Sequence, residues 1–372
     1  MVTVTEVVSK SDKRKFIRFP LKLYKDSPWY VPEFTKGELY TMDPLKNPAF
    51  EYLSCKLFLA WKGKKIVGRV AAILNNAHNY SAGEKQIRFT RFDFIDDYEV
   101  SQALFNKVIE WAQFLGMNEI VGPLGFSYMD KIGMLIEGFE EMDLYSTQYN
   151  YSYYPKHMER IGLQKKTDWV EFQVQVPDTM PEKLERVAKA AKKRYGYSVR
   201  TFDRKKDMLP VFEEVLPLLN DVIKQLEGIT AISETQMGDF AKTMMPLLRK
   251  EFITVVQNKD NEVVGYGLMM PSISRGVRLG RGRMFPLGML GILRDVRKVK
   301  VLDMFHIGVL PAYQNRGVNG VIMHHSIVQA MKHGILYAET GPEREDNISV
   351  QSQWKHFEHR QHRRRRCYTI SI

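Results

Sequence analysis

The sequence predicts a mixed α/β (α+β) protein built from two similar halves, each a mixed sheet flanked by helices. Three observations predict it. A pattern of strand, turn, helix, glycine, strand and Gly-Pro occurs twice. Two further pairs of segments read as β-hairpins. The chain of 372 residues is 44% hydrophobic and 12% aromatic, enough to fill two ordinary cores.

In the first half, Ile87, Phe89, Phe92 and Phe94 mark a strand over Gln86–Phe94. The turn Ile95–Tyr98 follows. A helix near Glu99–Leu115 comes next, with Leu104, Val108, Trp111, Ala112 and Leu115 at helical spacing. Gly116 ends it, and a strand over Met117–Val121 runs into Gly122-Pro123. The second half repeats this order: strand Val301–Val309, turn Leu310–Arg316, helix near Gly317–His333, Gly334, strand Ile335–Thr340, then Gly341-Pro342. Duplication accounts for the match.

Leu57–Ala60 and Lys65–Leu74 form one hairpin through Lys62-Gly63. Glu251–Gln257 and Val263–Met270 form another around Lys259–Asn261. Thr167–Val176 closes the first half as a strand. Helices are expected over Pro181–Arg194, Met208–Leu226 and Glu234–Lys250. The boundary is placed near Pro177–Pro181, dividing the chain into 1–178 and 179–372.

Two cysteines, Cys55 and Cys367, make neither a disulfide framework nor a cysteine-rich metal site, and they fit a reducing compartment. The first residues lack the apolar run of a secretory signal, and no stretch reaches the roughly 18–20 apolar residues of a membrane span. A cytoplasmic protein is expected, with peripheral contact at the inner membrane surface as an option. The net charge of +12 and pI ≈ 9.4 favour polyanionic partners: phosphorylated cofactors, anionic lipid or nucleic acid. The segment HRQHRRRRC (359–367) reads as a solvated basic edge, with attraction to a membrane surface or contact with RNA as the alternatives. His356, His359 and His362 recur every three residues, as on a helix face, but their arginine neighbours oppose a cation, so no metal is expected.

The most informative segment is Val309-Leu310-Pro311-Ala312-Tyr313-Gln314-Asn315-Arg316-Gly317-Val318-Asn319-Gly320, between a strand and a helix. Exposed amides at a helix N-terminus form a partly positive cradle, and glycine lets the backbone approach a bulky anion. Such a turn suits a pyrophosphate, with Arg316 as an added cation. The first half has Asp96, Asp97 and Glu99 at the matching place, which repel one.

This segment resembles motif A of the GNAT acyltransferases, Gln/Arg-x-x-Gly-x-Gly/Ala. Gln314 and Gly317 match; Asn319 stands where Gly or Ala is usual, with Gly320 directly after. The resemblance implies that Gln314, Asn315, Arg316, Gly317, Val318, Asn319 and Gly320 hold the pyrophosphate, and that Val309 and Leu310 run beside the pantetheine arm. Gly122-Pro123, Asp130–Phe139, Tyr149–Tyr154, Gly162-Leu163, Asp168, Gly282–Pro286 and Glu345–Asn347 resemble the bacterial ceramide synthase-like family of tandem GNAT proteins. That resemblance implies a tandem GNAT-like acyl-CoA N-acyltransferase fold. It also implies transfer of an acyl group from acyl-CoA or an acyl carrier protein thioester to an amine, a sphingoid base in the best-known activity.

Attack on a thioester needs a neutral amine, a base for its proton and an acid for the leaving thiolate. Glu339, on the second central strand, is the first candidate base, and His306, on the first, is the other. Asn347 starts a helix where many GNAT proteins place an asparagine against the cofactor arm. Trp354, seven residues on, stands where a tyrosine acid is common and cannot protonate a thiolate. Asp130, Glu137, Tyr149, Asn150, Tyr153 and Tyr154 are candidates for the acceptor site, with a packed tyrosine cluster as the alternative. The apolar run Met284–Leu293 is a candidate seat for an acyl chain, a membrane-interface segment or ordinary core. Two other functions compete: a tRNA-dependent aminoacyltransferase of the Fem type, which needs no pyrophosphate cradle, and a non-catalytic thioester-binding regulator. The cradle argues against nucleic acid as partner.

Overall fold

A computed structural model of the chain describes residues 1–127, 129–223 and 231–372. The first half runs β1 (Val2–Glu6), α1 (Lys10–Leu23), α2 (Thr35–Thr41), β2 (Leu53–Lys62), β3 (Lys65–Asn75), α3 (Asn76–Ala82), β4 (Gln86–Phe94), α4 (Tyr98–Phe114), β5 (Glu119–Gly122), β6 (Met134–Glu137), α5 (Tyr154–Ile161) and β7 (Gln164–Gln175). The second runs α6 (Glu182–Tyr195), β8 (Ser198–Arg200), α7 (Leu209–Ile223), α8 (Glu234–Met244), β9 (Ile253–Gln257), β10 (Val263–Pro271), α9 (Ser274–Gly280), α10 (Leu287–Arg297), β11 (Val301–Val309), α11 (Val318–Lys332), β12 (Tyr337–Thr340), β13 (Glu343–Arg344), α12 (Ile348–Gln351) and β14 (His359–Ser371). The end of the predicted helix Met208–Leu226 lies outside the described residues.

Both copies of the repeated pattern fold alike. β4 pairs in parallel with β5, and β11 with β12, each across a helix that covers the crossover. Phe89, Phe92, Leu104, Phe105 and Val108 are fully buried in the first core. Val318, Val321 and Ile322 of α11 pack with Val256, Val264 and two alanines of α6 in the second half.

The two sheets read from the sequence meet edge to edge as one mixed sheet of order β1-β2-β3-β4-β5-β14-β7-β12-β11-β10-β9-β8. The closing strands are exchanged. β7, from the first half, pairs with β12 of the second. β14, from the end of the chain, pairs with β5 and β6 of the first. β7 and β14 then lie antiparallel at the seam.

The basic segment 359–367 is therefore a central strand, not a solvated edge. Alternate side chains point to opposite faces of a strand. Arg363 and Arg365 are buried on one face, where both pair with Glu171 (Arg363 at 2.6 Å). Arg365 also reaches Asp143 at 2.7 Å. Arg364 and Arg366 on the other face pair with Asp168 at 3.3 and 2.8 Å. The buried arginines outweigh desolvation at Glu171 and hold its carboxyl down at about 2. His359 and His362 lie in this strand, so the three histidines form no helical face. Among the described residues no cluster of three or more potential metal ligands occurs.

Candidate active site

The turn between β11 and α11 carries two left-handed residues, Asn315 (φ 58°) and Gly317 (φ 79°). Gly317 is the N-cap of α11, and no side chain caps the helix. An uncapped first turn leaves amides for a ligand or water. Gln314, Asn315 and Arg316 are exposed, with Arg316 over the Tyr313 ring at 5.7 Å. Asn319 donates to Gln353 at 2.9 Å. α6 lies against this turn: a Cβ at Gly317 would sit 2.7 Å from the Ala191 Cβ, and one at Gly320 2.9 Å from Val187. Gly320 is thus spent on helix packing. The same helix carries Arg186, Lys189, Lys192 and Lys193, so the turn sits in positive surroundings.

The matching turn of the first half is closed. Asp97 caps α4 and accepts from the Glu99 amide at 3.0 Å. Lys62 pairs with Asp97 and with Glu99, at 3.4 Å for the latter, and the Val2 amide donates to Glu99 at 2.9 Å. Side chains of this chain already fill the place that an anion occupies at an open terminus.

From Val309 the backbone leads back along β11 to a widening gap. β11 pairs with β10 over its whole length but with β12 only from Val301 to Met304. The register against β10 slips between Leu268 and Met269, leaving Phe305 as a bulge. The segment Phe305–Val309 therefore turns one edge away from any β12 partner. An apolar cavity opens on the side of α7 and α8. It has ≈ 540 Å³ of space between atoms, part of it open to solvent. Val211, Phe212, Leu219, Phe240 and Phe305 line it, with Met129 from the first half. Its polar groups are His306 and Tyr266, bonded to each other at 2.7 Å with stacked rings. Burial lowers His306 to about 4, so its imidazole is neutral at pH 7.

Glu339 stands opposite Asp303 in the β11–β12 register, where the paired stretch ends. Arg363 donates to Glu339 at 2.8 Å. Burial nevertheless raises Glu339 above the usual carboxylate range, against the pull of Arg363. Asp303 is 5% exposed, and its Oδ1 has no hydrogen-bond partner among the described residues. Burial, then the Glu339 charge, push Asp303 to about 7. Asp303 was not singled out from the sequence. The available signal was an aspartate two residues before the strand's bulge, but the register that sets it against Glu339 is a tertiary fact. Glu343 was missed too. It accepts from the Trp354 indole at 3.1 Å, and burial raises it to about 7. Trp354 thus holds a protonatable carboxyl at the start of β13, three residues past β12.

The other candidates are used by the fold. Asn347 caps α12 through the Val350 amide at 3.2 Å and is exposed. Asp130 is locked to Arg91 at 2.7 Å and to the Phe126 and Lys131 amides. Glu137 is exposed and accepts from Gln361. Asn150 bonds both backbone groups of Leu135 and is fully buried. Tyr149, Tyr153 and Tyr154 pack in the first core, with hydroxyls on Phe139, Phe94 and Tyr24. The tyrosine cluster is a packed one. Buried groups whose bonding is complete have no free atoms for an acceptor.

Two splayed parallel strand pairs, each followed or preceded by a covering helix and joined through exchanged closing strands, define a tandem GNAT fold. A solved structure supports this: a tandem GNAT protein from the clavulanic acid biosynthesis pathway, without acetyl-CoA, matches with a TM-score of 0.56 and 11% identity over 100% of this chain and 98% of that one. In sequence the chain is similar to the bacterial ceramide synthase of Caulobacter vibrioides, 25% identical over 320 residues, 84% of this chain and 82% of that protein. It is also similar to Protein YghO of Escherichia coli, 26% identical over 330 residues, 86% of this chain and 81% of that one. No protein-family model matches the chain.

Proposed function

We propose that the chain is an N-acyltransferase that moves an acyl group from acyl-CoA or an acyl carrier protein thioester to an amine. The observation that carries this reading is the contrast between the halves. The second has an uncapped, left-handed turn beside an unpaired strand edge, and the first has the same turn filled with its own carboxylates. Residues 179–372 then form the thioester-binding half, and 1–178 the half that shapes the acceptor side. The amides of Gln314–Gly320, with Arg316, hold the diphosphate, and the Val309–Leu310 backbone lies along the pantetheine arm.

The amine nitrogen attacks the thioester carbonyl carbon. A C–N bond forms, the C–S bond breaks, and the nitrogen loses a proton. We assign the proton to Asp303 in preference to Glu339, because Arg363 already bonds Glu339 while one Asp303 oxygen is unengaged. His306, neutral and beside the cavity, is the second acceptor. Glu343, carrying a proton near pH 7, is the group proposed to return one to the thiolate in place of the usual tyrosine. The name of the Caulobacter relative suggests a sphingoid base as the amine, and the apolar lining of the cavity favours a nonpolar group.

Incubation of the full chain with palmitoyl-CoA and sphinganine, read by mass spectrometry, tests the reading. The expected product is the N-acyl amine with one free CoA thiol per amide. Asp303→Asn should lower kcat by about 10²-fold. Thioester hydrolysis without amide formation, for every amine tried, would refute it.

A further inference from the structure

The two halves differ most in the connection between the strands before and at the splay. Residues 76–85 join β3 to β4, with one short helix. Residues 272–300 join β10 to β11, and they fold into the α9–α10 hairpin. Its helices touch backbone to backbone: a Cβ at Gly276 would meet Gly291 at 2.4 Å, and one at Gly280 would meet Gly288 at 2.8 Å. So close a contact hides little side-chain area. The inner face, with Ile273, Val277 and Ile292, docks on Val31 of the first half.

The outer face is bare. Leu279, Phe285, Leu287, Leu290 and Leu293 are exposed by 40% to 68%. Leu287, Leu290 and Leu293 form one stripe along α10. Five large apolar side chains standing together in water are a costly patch for a surface to keep without a partner. Arg275, Arg281, Arg283, Arg294, Arg297 and Lys298 are exposed around them, and among the described residues none makes an ion pair. The one acid of the hairpin, Asp295, is bonded to the Gly276 amide at 2.6 Å. The patch is thus apolar at its centre and positive around it. A second copy of the chain would set cations against cations. An anionic bilayer complements both parts: acyl tails accept the leucines while arginine stems reach up to headgroup phosphates. No helix among the described residues is long and apolar enough to cross a membrane, so contact of this kind lies in the interface plane.

We propose that the α9–α10 hairpin seats the protein on an anionic lipid surface. The hairpin leaves β10 at Ser272, whose amide bonds Val301 beside Asp303. The hairpin thus joins β11 at its paired end, two residues before Asp303, and the strands splay from Phe305 onward. This proposal holds whether or not the chain transfers acyl groups.

Co-sedimentation of the full chain tests it, with phosphatidylcholine vesicles and with vesicles holding about 30% phosphatidylglycerol. Because cations near an anionic surface are attracted to it, the anionic vesicles should bind the wild type more than about tenfold better, and added salt should erase most of the gain. Leu287→Glu/Leu290→Glu should cut binding to anionic vesicles by about tenfold or more, as should Arg294→Glu/Arg297→Glu. All four positions are exposed, so both variants should keep the wild-type melting temperature. No binding of the folded wild type to anionic vesicles, or full binding by the leucine variant, overturns the proposal. Capture of an acidic acyl carrier protein, lost in the same variants and without vesicle binding, would assign the patch to a protein and overturn it as well.

Discussion

Asp303 and Glu339 stand side by side yet differ in how their charge is held. Of these two carboxylates, Arg363 hydrogen-bonds Glu339. Asp303 lies deeper and among the described residues has no cation at hydrogen-bond distance, so burial and the neighbouring carboxylate keep its proton on to about 7. The two titrate as a pair, and a rate that needs the free Asp303 carboxylate should rise through neutrality. The sign for stability follows from proton counts. Between an ordinary value of 3.8 and about 7, the folded chain holds a proton on Asp303 that the unfolded chain has released. Stability therefore falls as pH rises through that window. His306 acts oppositely: it stays neutral to about 4 against 6.5 unfolded, so its contribution is lost as pH falls from 6.5 to 4. Comparison of Asp303→Asn with wild type isolates the first effect. Denaturant melts should show the variant gaining relative stability from pH 4.5 to 7.5. A pH-independent difference would show that the aspartate ionises normally.

Strand β14 marks the limit of what a linear reading can recover. Four consecutive arginines look solvated when only their neighbours in sequence are counted. Their partners Glu171, Asp168 and Asp143 come from about the middle of the chain, and pairing depends on a register between β7 and β14 that the sequence does not display. The repeated strand, helix and strand were legible because their apolar spacing is local. So was the turn after β11, since Gly317 and Asn315 mark left-handed backbone. The α1 helix was missed because its charged stretch masks a stripe containing Phe16, Ile17 and Phe19. At β14 the energetics give a sharp test. Removing one member of a buried, hydrogen-bonded pair leaves the other charge stranded, at a cost of about 3–5 kcal/mol. Arg363→Met should lose that much in urea unfolding. Arg360→Met, which breaks an exposed pair with Glu141, should lose less than about 1 kcal/mol. Equal losses would mean that the buried network is not what holds the seam.

Across the whole molecule, two similar frames meet through the exchange of β7 and β14 and form one sheet. The halves differ in two places. The first closes its helix terminus with Asp97 and Lys62, where the second has no side-chain cap. The second also carries the α9–α10 hairpin where the first has one short helix. The contrast between the two turns was readable from the acids at 96–99 and the glycine at 317, whereas the setting of Asp303 opposite Glu339 depended on a strand register that the sequence does not display. The structure also decides how to probe the turn. Gly317 is packed against Ala191 in a left-handed conformation, so a side chain there strains the fold whatever binds. Arg316 is exposed and can be reversed in charge without that cost. Isothermal titration of the full chain with palmitoyl-CoA therefore tests the account most directly. It predicts one site per chain, weakened about tenfold or more by Arg316→Glu and unchanged by Asp96→Lys in the first half. Two equivalent sites, or one site indifferent to Arg316→Glu, would contradict it.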